Sequence, residues 1–341
     1  MNDIAIPSSF FSDHGRKDII RKLWCKPLIE ALSTNLKKKL IYIGLPDIEA
    51  LDILEWINYL DRVIAFQCSS YKDNKKIDVA KLDALLNKLE QQSKLRSSIV
   101  YQGWMEEIVM GGISERGQIY SQSDFLKVYN LDFCSNLTVP RKVVNDRGRI
   151  INLIYKTDVI EKFIEYQALA GSQNKGQKFI MYLTVNSNTF DQDLAEIKDP
   201  CIKAYLKKIS AIRKVEVVAV RQMKAYCYHK LNQIFLKHNF HCEFLPPVFY
   251  MGSAYPNKET RKLVNHRMMT FTILGTLKKD GEVLFKQDCE AFLNNKFIFA
   301  TDKAISCYND ERYIKEVDYD SNIKELINDS HTYQNLWAMA V

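Results

Sequence analysis

The chain lacks most of the patterns that would declare a chemistry outright. Its eight cysteines, at 25, 68, 134, 201, 227, 242, 289 and 307, include no CxxC pair and follow no regular spacing. That argues against a zinc site or a disulfide framework and for scattered thiols in a reducing compartment. HExxH, GxSxG, GxxxxGK and paired-carboxylate motifs are absent, so hydrolase and NTPase chemistry find no support. No apolar run approaches the roughly 18–20 residues that span a bilayer. The opening MNDIAIPSSFFSDHGRKD has no basic segment followed by an apolar one, as a secretory leader would. A cytoplasmic chain with no membrane partner and no metal is expected. Internal repeats and low-complexity tracts are also missing.

What is present is globular. With 341 residues, 47% hydrophobic and 26% charged, the chain can bury a sizeable core. The net charge of +7 sits in short clusters such as Lys37-Lys38-Lys39, Lys75-Lys76 and Lys207-Lys208. These suit contact with phosphate, although lysine pairs on helices are more often solvated faces.

Apolar residues at Ile19, Ile20, Leu23, Trp24, Leu28, Ile29 and Leu32 recur with a helical period over 16–33. A short apolar run at 40–44 predicts a buried first strand. Asp47 is placed to cap a helix whose apolar face includes Ile48, Leu51, Leu54 and Ile57. A second strand over 62–67, a helix over 79–92 and a third strand over 98–101 follow. Successive βα units of this kind imply right-handed crossovers and a parallel sheet.

Residues 111–126 read as a loop or short helix, 127–133 as a fourth strand, 140–150 as a loop and 158–170 as a helix. The run KFIMYLTV at 178–185 is the clearest buried strand. A helical region over 194–238, broken near 209–214, leads to β-rich segments at 241–250 and 268–277 that can pair antiparallel. Residues 282–341 form a C-terminal appendage, with strands expected at 282–287 and 296–300 and a helix near 323–327.

Five strands each followed by a helix, then an antiparallel pair, resembles a class I S-adenosylmethionine-dependent methyltransferase over about 16–277. The expected fold is α/β: a seven-stranded, mostly parallel, doubly wound, Rossmann-like sheet with an antiparallel strand pair. Residues 1–281 would form this domain and 282–341 an extension packed on it.

In such sheets ligands lie at the carboxyl ends of the strands near the switch point. The resemblance implies S-adenosylmethionine there, its amino-acid part against Gly44, Leu45 and Pro46 after the first strand. It puts the ribose at Gln67, where the family carries an acid, and the adenine at Gly103 and Trp104. A tight turn that binds nothing and a core tryptophan are the plainer readings of the first and last of these. The fourth strand ends in YNLDFCSN, where the family keeps its acceptor-facing motif, and Asp132 would face the acceptor. An acid closing an apolar strand is costly unless hydrogen-bonded or functional. The segment resembles the Asp-Pro-Pro-Tyr signature of amino-methylating enzymes without its prolines. It is closer to the Leu-Asp-Pro-Tyr-Gly form in methyltransferase-like proteins of bacterial defence gene clusters, with Phe133 and Cys134 departing from it. Cys134 offers a second chemistry, the nucleophile of cytosine-C5 methyltransferases, or is a buried structural thiol.

Two functions follow. One is a divergent methyltransferase acting on a nucleic acid or a protein. The other is a binding subunit of a multi-protein antiviral defence complex that keeps the fold without the catalysis. A nucleotide or dinucleotide is the alternative ligand, since the same crevice holds those in related sheets.

Overall fold

The computed structural model describes residues 14–308, apart from 69–70, 73–74, 77–78, 134, 146, 174–175, 191, 193, 195–196, 213–214, 257–262, 295–296 and 301–304. Helix α1 (His14–Ile19), a π-helical stretch (Ile20–Cys25) and α2 (Lys26–Leu36) run into one another. They are followed by β1 (Leu40–Gly44), α3 (Leu51–Trp56), β2 (Leu60–Gln67) and a small hairpin of β3 (Tyr71–Lys72) and β4 (Lys75–Lys76). Next come α4 (Val79–Gln91), β5 (Ser97–Gln102), α5 (Met105–Gly111), β6 (Val128–Asp132), a second hairpin of β7 (Arg141–Val144) and β8 (Ile150–Ile154), α6 (Lys156–Gly171) and β9 (Lys178–Asn186). The remainder is α7 (Pro200–Ser210), α8 (Val215–Lys237), β10 (Phe240–Phe244), β11 (Val248–Pro256), β12 (Leu263–Leu277), α9 (Cys289–Asn294), β13 (Phe297–Ala300) and β14 (Ile305–Tyr308).

Strands β5, β2, β1, β6 and β9 lie side by side and parallel. β12 joins β9 antiparallel, with nine residue pairs from Met268–Asn186 to Thr276–Lys178. This is the expected fold class, but the sheet is wider than seven strands. β10 and β11 share β12 as antiparallel partner, because Pro246-Pro247 cannot donate to the ladder and splits what reads as one strand. β13 and β14 then extend the edge beyond β11.

Three other expectations are corrected. Residues 140–150 are not looped, since β7 and β8 pair antiparallel there. Where no element is assigned from sequence, Met105–Gly111 forms α5, opened by Glu106 and Glu107 in its first turn, where carboxylates favour the positive end of the helix dipole. Asp47 caps a turn, accepting the Glu49 amide at 3.0 Å, and not α3 itself. Residues 282–287 form no strand but follow β10, through a bridge between Cys242 and Lys286 and hydrogen bonds of Gln287 with the Phe244 backbone. The helix expected near 323–327 lies outside the described residues.

Each face of the sheet carries its own core. On one, α5, α6, α7 and α8 cover Tyr129, Phe179 and Phe66, with Phe163 of α6 tilted against Tyr129 and Phe66, and Tyr129 edge-on to Phe179. On the other, the N-terminal helix, α3 and α4 cover Tyr42, Trp56 and Tyr182. Large buried rings of this kind dominate core energetics. α8 also takes an amine into the core: Lys224 is fully buried, donates to the Leu293 carbonyl at 3.2 Å and lies 5.0 and 4.8 Å from the rings of Phe292 and Phe297. Among the described residues no helix is long and apolar enough to cross a membrane.

Candidate functional site

The chain leaves β1 for β2 on one side and returns to β6 on the other, so β1 and β6 flank the switch point. A cavity of about 690 Å³ opens there, within the range that holds small ligands. Its walls include Leu45 and Pro46 after β1, Gln67 at the end of β2, Gly103 and Trp104 after β5, and Asp132 at the end of β6. The expected positions on four strands are thus brought together. Gly44 lies behind this wall, and Cys134 is outside the described residues.

Gly44 serves the protein's own packing. A Cβ built on it would fall 2.5 Å from the Asn130 carbonyl oxygen and 2.5 Å from the Tyr42 hydroxyl. That hydroxyl donates to Asp52 Oδ2 at 2.5 Å, and the Asn130 side-chain amide donates to the same oxygen at 2.6 Å. Asp52 is buried at the cavity floor, and burial raises its pKa while the two donors and the Arg21 charge oppose the rise. The turn itself offers few amides, since the Leu45 N–H donates to the Asn130 carbonyl at 3.0 Å and Pro46 has none. Removing the Tyr42 hydroxyl leaves Asp52 with one donor fewer. Tyr42→Phe is therefore expected to destabilise the fold by about 1–3 kcal/mol, read as a lowered urea midpoint; an unchanged midpoint would show that the hydroxyl contributes nothing there.

The ends of β2 and β5 are joined by the Gly103 amide, which donates to the Gln67 carbonyl at 3.0 Å. Gly103 has φ +129°, a conformation closed to most side chains. Trp104 is 37% exposed, neither core nor free, with the Arg141 guanidinium 4.0 Å over its ring. Arg141 also pairs with Glu107 at 2.8 Å, which fixes the cation over the indole.

At the end of β6, Asp132 Oδ2 accepts from Lys17 Nζ at 2.8 Å, while Oδ1 is buried without a hydrogen-bond partner. Lys156 completes this side. Its amine donates to the carbonyls of Asn136 and Val139 at 3.2 and 2.7 Å, and burial lowers its pKa.

Lys17 comes from the N-terminal helix, which roofs the cavity through its π-helical stretch. The Arg21 carbonyl accepts both the Lys26 amide and the Trp56 indole N–H, the latter at 3.2 Å. Tyr182 donates to the Cys25 carbonyl at 3.0 Å, and Trp24 to Thr272 at 2.8 Å. Such wide turns are uncommon and frequent at functional sites; this one sets Ile20, Arg21 and Cys25 in the wall, and α1 before it adds Lys17.

Sequence reasoning missed Lys17, Arg21, Tyr42, Asp52 and Lys156. The one available signal was position, Asp52 lying in the helix that follows β1, whereas Lys156 follows β8 of the ribbon and gave none. Elsewhere, Asp199, Cys201 and Cys289 place ligand-type atoms within 4.8 Å of one another. Asp199, however, already caps α7 through the amides of Cys201 and Ile202 and pairs with Lys286.

S-adenosylmethionine, implied by the sequence resemblance, can be tested against these residues. The orphaned Asp132 oxygen, the indole with one face covered, and the Gly103 backbone fit a nucleoside bearing a reactive group. The turn after β1 fits less well, and charged side chains stand in its place: Lys17 and Arg21 beside Asp47 and Asp52.

No protein-family model matches the sequence, and no curated protein matches it. Among solved structures the chain is similar to an O-methyltransferase from Bacillus cereus in complex with SAH, at 10% identity and TM-score 0.32, over 81% of this chain and 94% of that one. It is similar to an rRNA methylase from Streptococcus thermophilus at 10% identity and TM-score 0.32, over 74% and 95%. A precorrin-6y C5,15-methyltransferase from Geobacter metallireducens is matched at 8% identity and TM-score 0.30, over 73% and 87%.

Proposed function

We propose that the cavity binds S-adenosylmethionine and that the protein is a divergent methyltransferase acting on a macromolecule, a nucleic acid or a protein. The observation that carries this reading is the buried, unpaired Oδ1 of Asp132 at the switch point, in one cavity with the ends of the three neighbouring strands. The bound cofactor would supply the methyl group. Trp104 would stack on its base and Gln67 would hydrogen-bond its ribose through a neutral amide, more weakly than an acid would. Lys17 and Arg21 suit a carboxylate and Asp52 an ammonium. Asp132 would hold the acceptor, and positioning is the main source of rate.

A specific feature favours a second reading, a non-catalytic subunit of a defence complex. Lys17 already occupies Asp132 Oδ2, and the turn after β1 keeps no free amide at Leu45 or Pro46. Calorimetric titration with S-adenosylmethionine and S-adenosylhomocysteine separates the two. Micromolar binding that Trp104→Ala weakens supports the first. No heat and no thermal shift at millimolar ligand supports the second and removes the first. With binding in hand, Asp132→Ala should abolish transfer of labelled methyl groups to the nucleic-acid or protein fraction of a lysate. Its melting temperature should stay within a few degrees, because Lys17 and Asp132 are both partly exposed and such pairs contribute about 0–1 kcal/mol.

A further inference from the structure

After β6 the chain leaves the sheet as the β7–β8 ribbon, most of whose apolar side chains meet water. Val144, Ile150, Ile151 and Leu153 are 54, 52, 63 and 43% exposed. Single apolar residues on a surface are ordinary, but four on one small hairpin mark a contact site. An isolated two-stranded hairpin is marginal in water, and this one is anchored at its base by buried Ile154 and by the Arg141–Glu107 pair. Its turn is held by hydrogen bonds to Asn145. Asn145 Oδ1 accepts the amides of Arg147 and Arg149 at 3.1 and 3.0 Å, and Gly148 turns the chain at φ +71°. The ribbon thereby presents Lys142, Arg147 and Arg149 to solvent. The stretch 141–149, RKVVNDRGR, contains four basic residues and one acid. At the ribbon's base Arg141 lies on Trp104, so the ribbon and the cavity mouth form one surface.

We propose that this ribbon docks a nucleic acid and delivers it to the cavity. The inference rests on the methyltransferase reading and names its acceptor class. Three properties point to nucleic acid. A two-stranded ribbon fits a major groove; Arg147 and Arg149 at its tip, with Lys142 near its base, meet backbone phosphates and fix its register; exposed apolar side chains beside them can contact thymine methyl groups. A protein contact of this size would have a centre depleted of charge, whereas here cations and apolar residues interleave. The chain's net charge of +7 has the same sign.

The test is fluorescence anisotropy with the full chain and three labelled probes of mixed sequence: a DNA duplex, its single strand and an RNA duplex. Binding should weaken with salt. The triple variant Lys142→Glu, Arg147→Glu, Arg149→Glu should weaken it by about tenfold or more and reduce the log–log salt slope by about 2–3. Ile150→Ser with Ile151→Ser should weaken it severalfold with less change in that slope. All three positions of the triple variant are exposed, and a circular dichroism spectrum checks the fold. Ribbon-dependent binding to any probe supports the proposal, and the tightest probe names the source. Binding absent at low salt, or equal in the triple variant, overturns it. Self-association lost on Ile150→Ser and Ile151→Ser, with no probe bound, also overturns it and assigns the ribbon to a protein partner. Calorimetry on the same variants keeps the two readings apart. Ribbon-dependent binding without S-adenosylmethionine binding would sink the methyltransferase reading and leave the ribbon's role standing.

Discussion

Gly44→Ala is expected to destabilise the protein by roughly 3 kcal/mol, the upper range for overpacking a filled core. One methyl group would do this because neither neighbour can retreat. The Asn130 carbonyl, 2.5 Å from the new Cβ, belongs to β6, where Asn130 pairs with Gly44 itself, so moving it parts two central strands. The Tyr42 hydroxyl, equally close, is held on Asp52. Cost by cost, the backbone contact is the harder to relieve. The double variant Gly44→Ala, Tyr42→Phe should therefore recover less than half of the loss. Urea unfolding decides the matter, and a Gly44→Ala midpoint equal to the parent's would refute the close approach. The glycine that a cofactor turn would keep for its ligand is kept here for a tyrosine.

The second large effect concerns pH. Burial lowers the Lys224 pKa to about 7, with the Arg221 charge acting in the same direction. In the unfolded chain it returns to about 10.4. Between these values the unfolded state binds a proton that the folded state does not, so stability rises with pH across that window. Below about pH 7 both states are protonated and the folded state carries the full cost of a buried ammonium, reduced by the Leu293 carbonyl and the two rings. The cost is of the order of several kcal/mol. Lys224→Met, similar in length and free of charge, should remove this part of the dependence. Unfolding free energy measured from pH 6 to 10 should rise more gently in the variant than in the parent, and the variant should be the more stable at pH 6. Parallel curves would show that Lys224 does not titrate in this range.

The parallel half of the fold was legible because buried parallel strands read as unbroken apolar runs. LIYIG at 40–44 and KFIMYLTV at 178–185 are buried on both faces, and no other local structure suits such short runs. The β7–β8 ribbon was not legible for the opposite reason. β8 is exposed from Ile150 to Leu153, and β7 alternates over only four residues, two of them basic, so neither strand offers a buried apolar face to read. The helix after β1 misled differently. An apolar face at Ile48, Leu51, Leu54 and Ile57 was expected, yet α3 buries Asp52, Ile53 and Trp56 and leaves Leu54 exposed. Its orientation follows the Tyr42 and Asn130 hydrogen bonds to Asp52, which tertiary contact alone reveals. Of the candidate site, the strand ends were found because topology dictates where they meet. Lys17 and Arg21 were missed because a π-helical turn and a roof over distant strands leave no periodic trace.

The roof has a consequence for how the molecule is made. Trp24 is hydrogen-bonded to Thr272, 248 residues further along, and Tyr182 to the carbonyl of Cys25, 157 residues back. A chain emerging from a ribosome presents this helix long before the strand that receives Trp24. The helix must wait, its apolar face uncovered, while the parallel strands assemble beneath it, and contacts so distant in sequence form slowly. The pocket is therefore closed in one of the last steps of folding, by a segment synthesised long before the strand that receives it. A nascent chain stalled before residue 272 would expose that helix to chaperones and proteases with Asp132 still open to water.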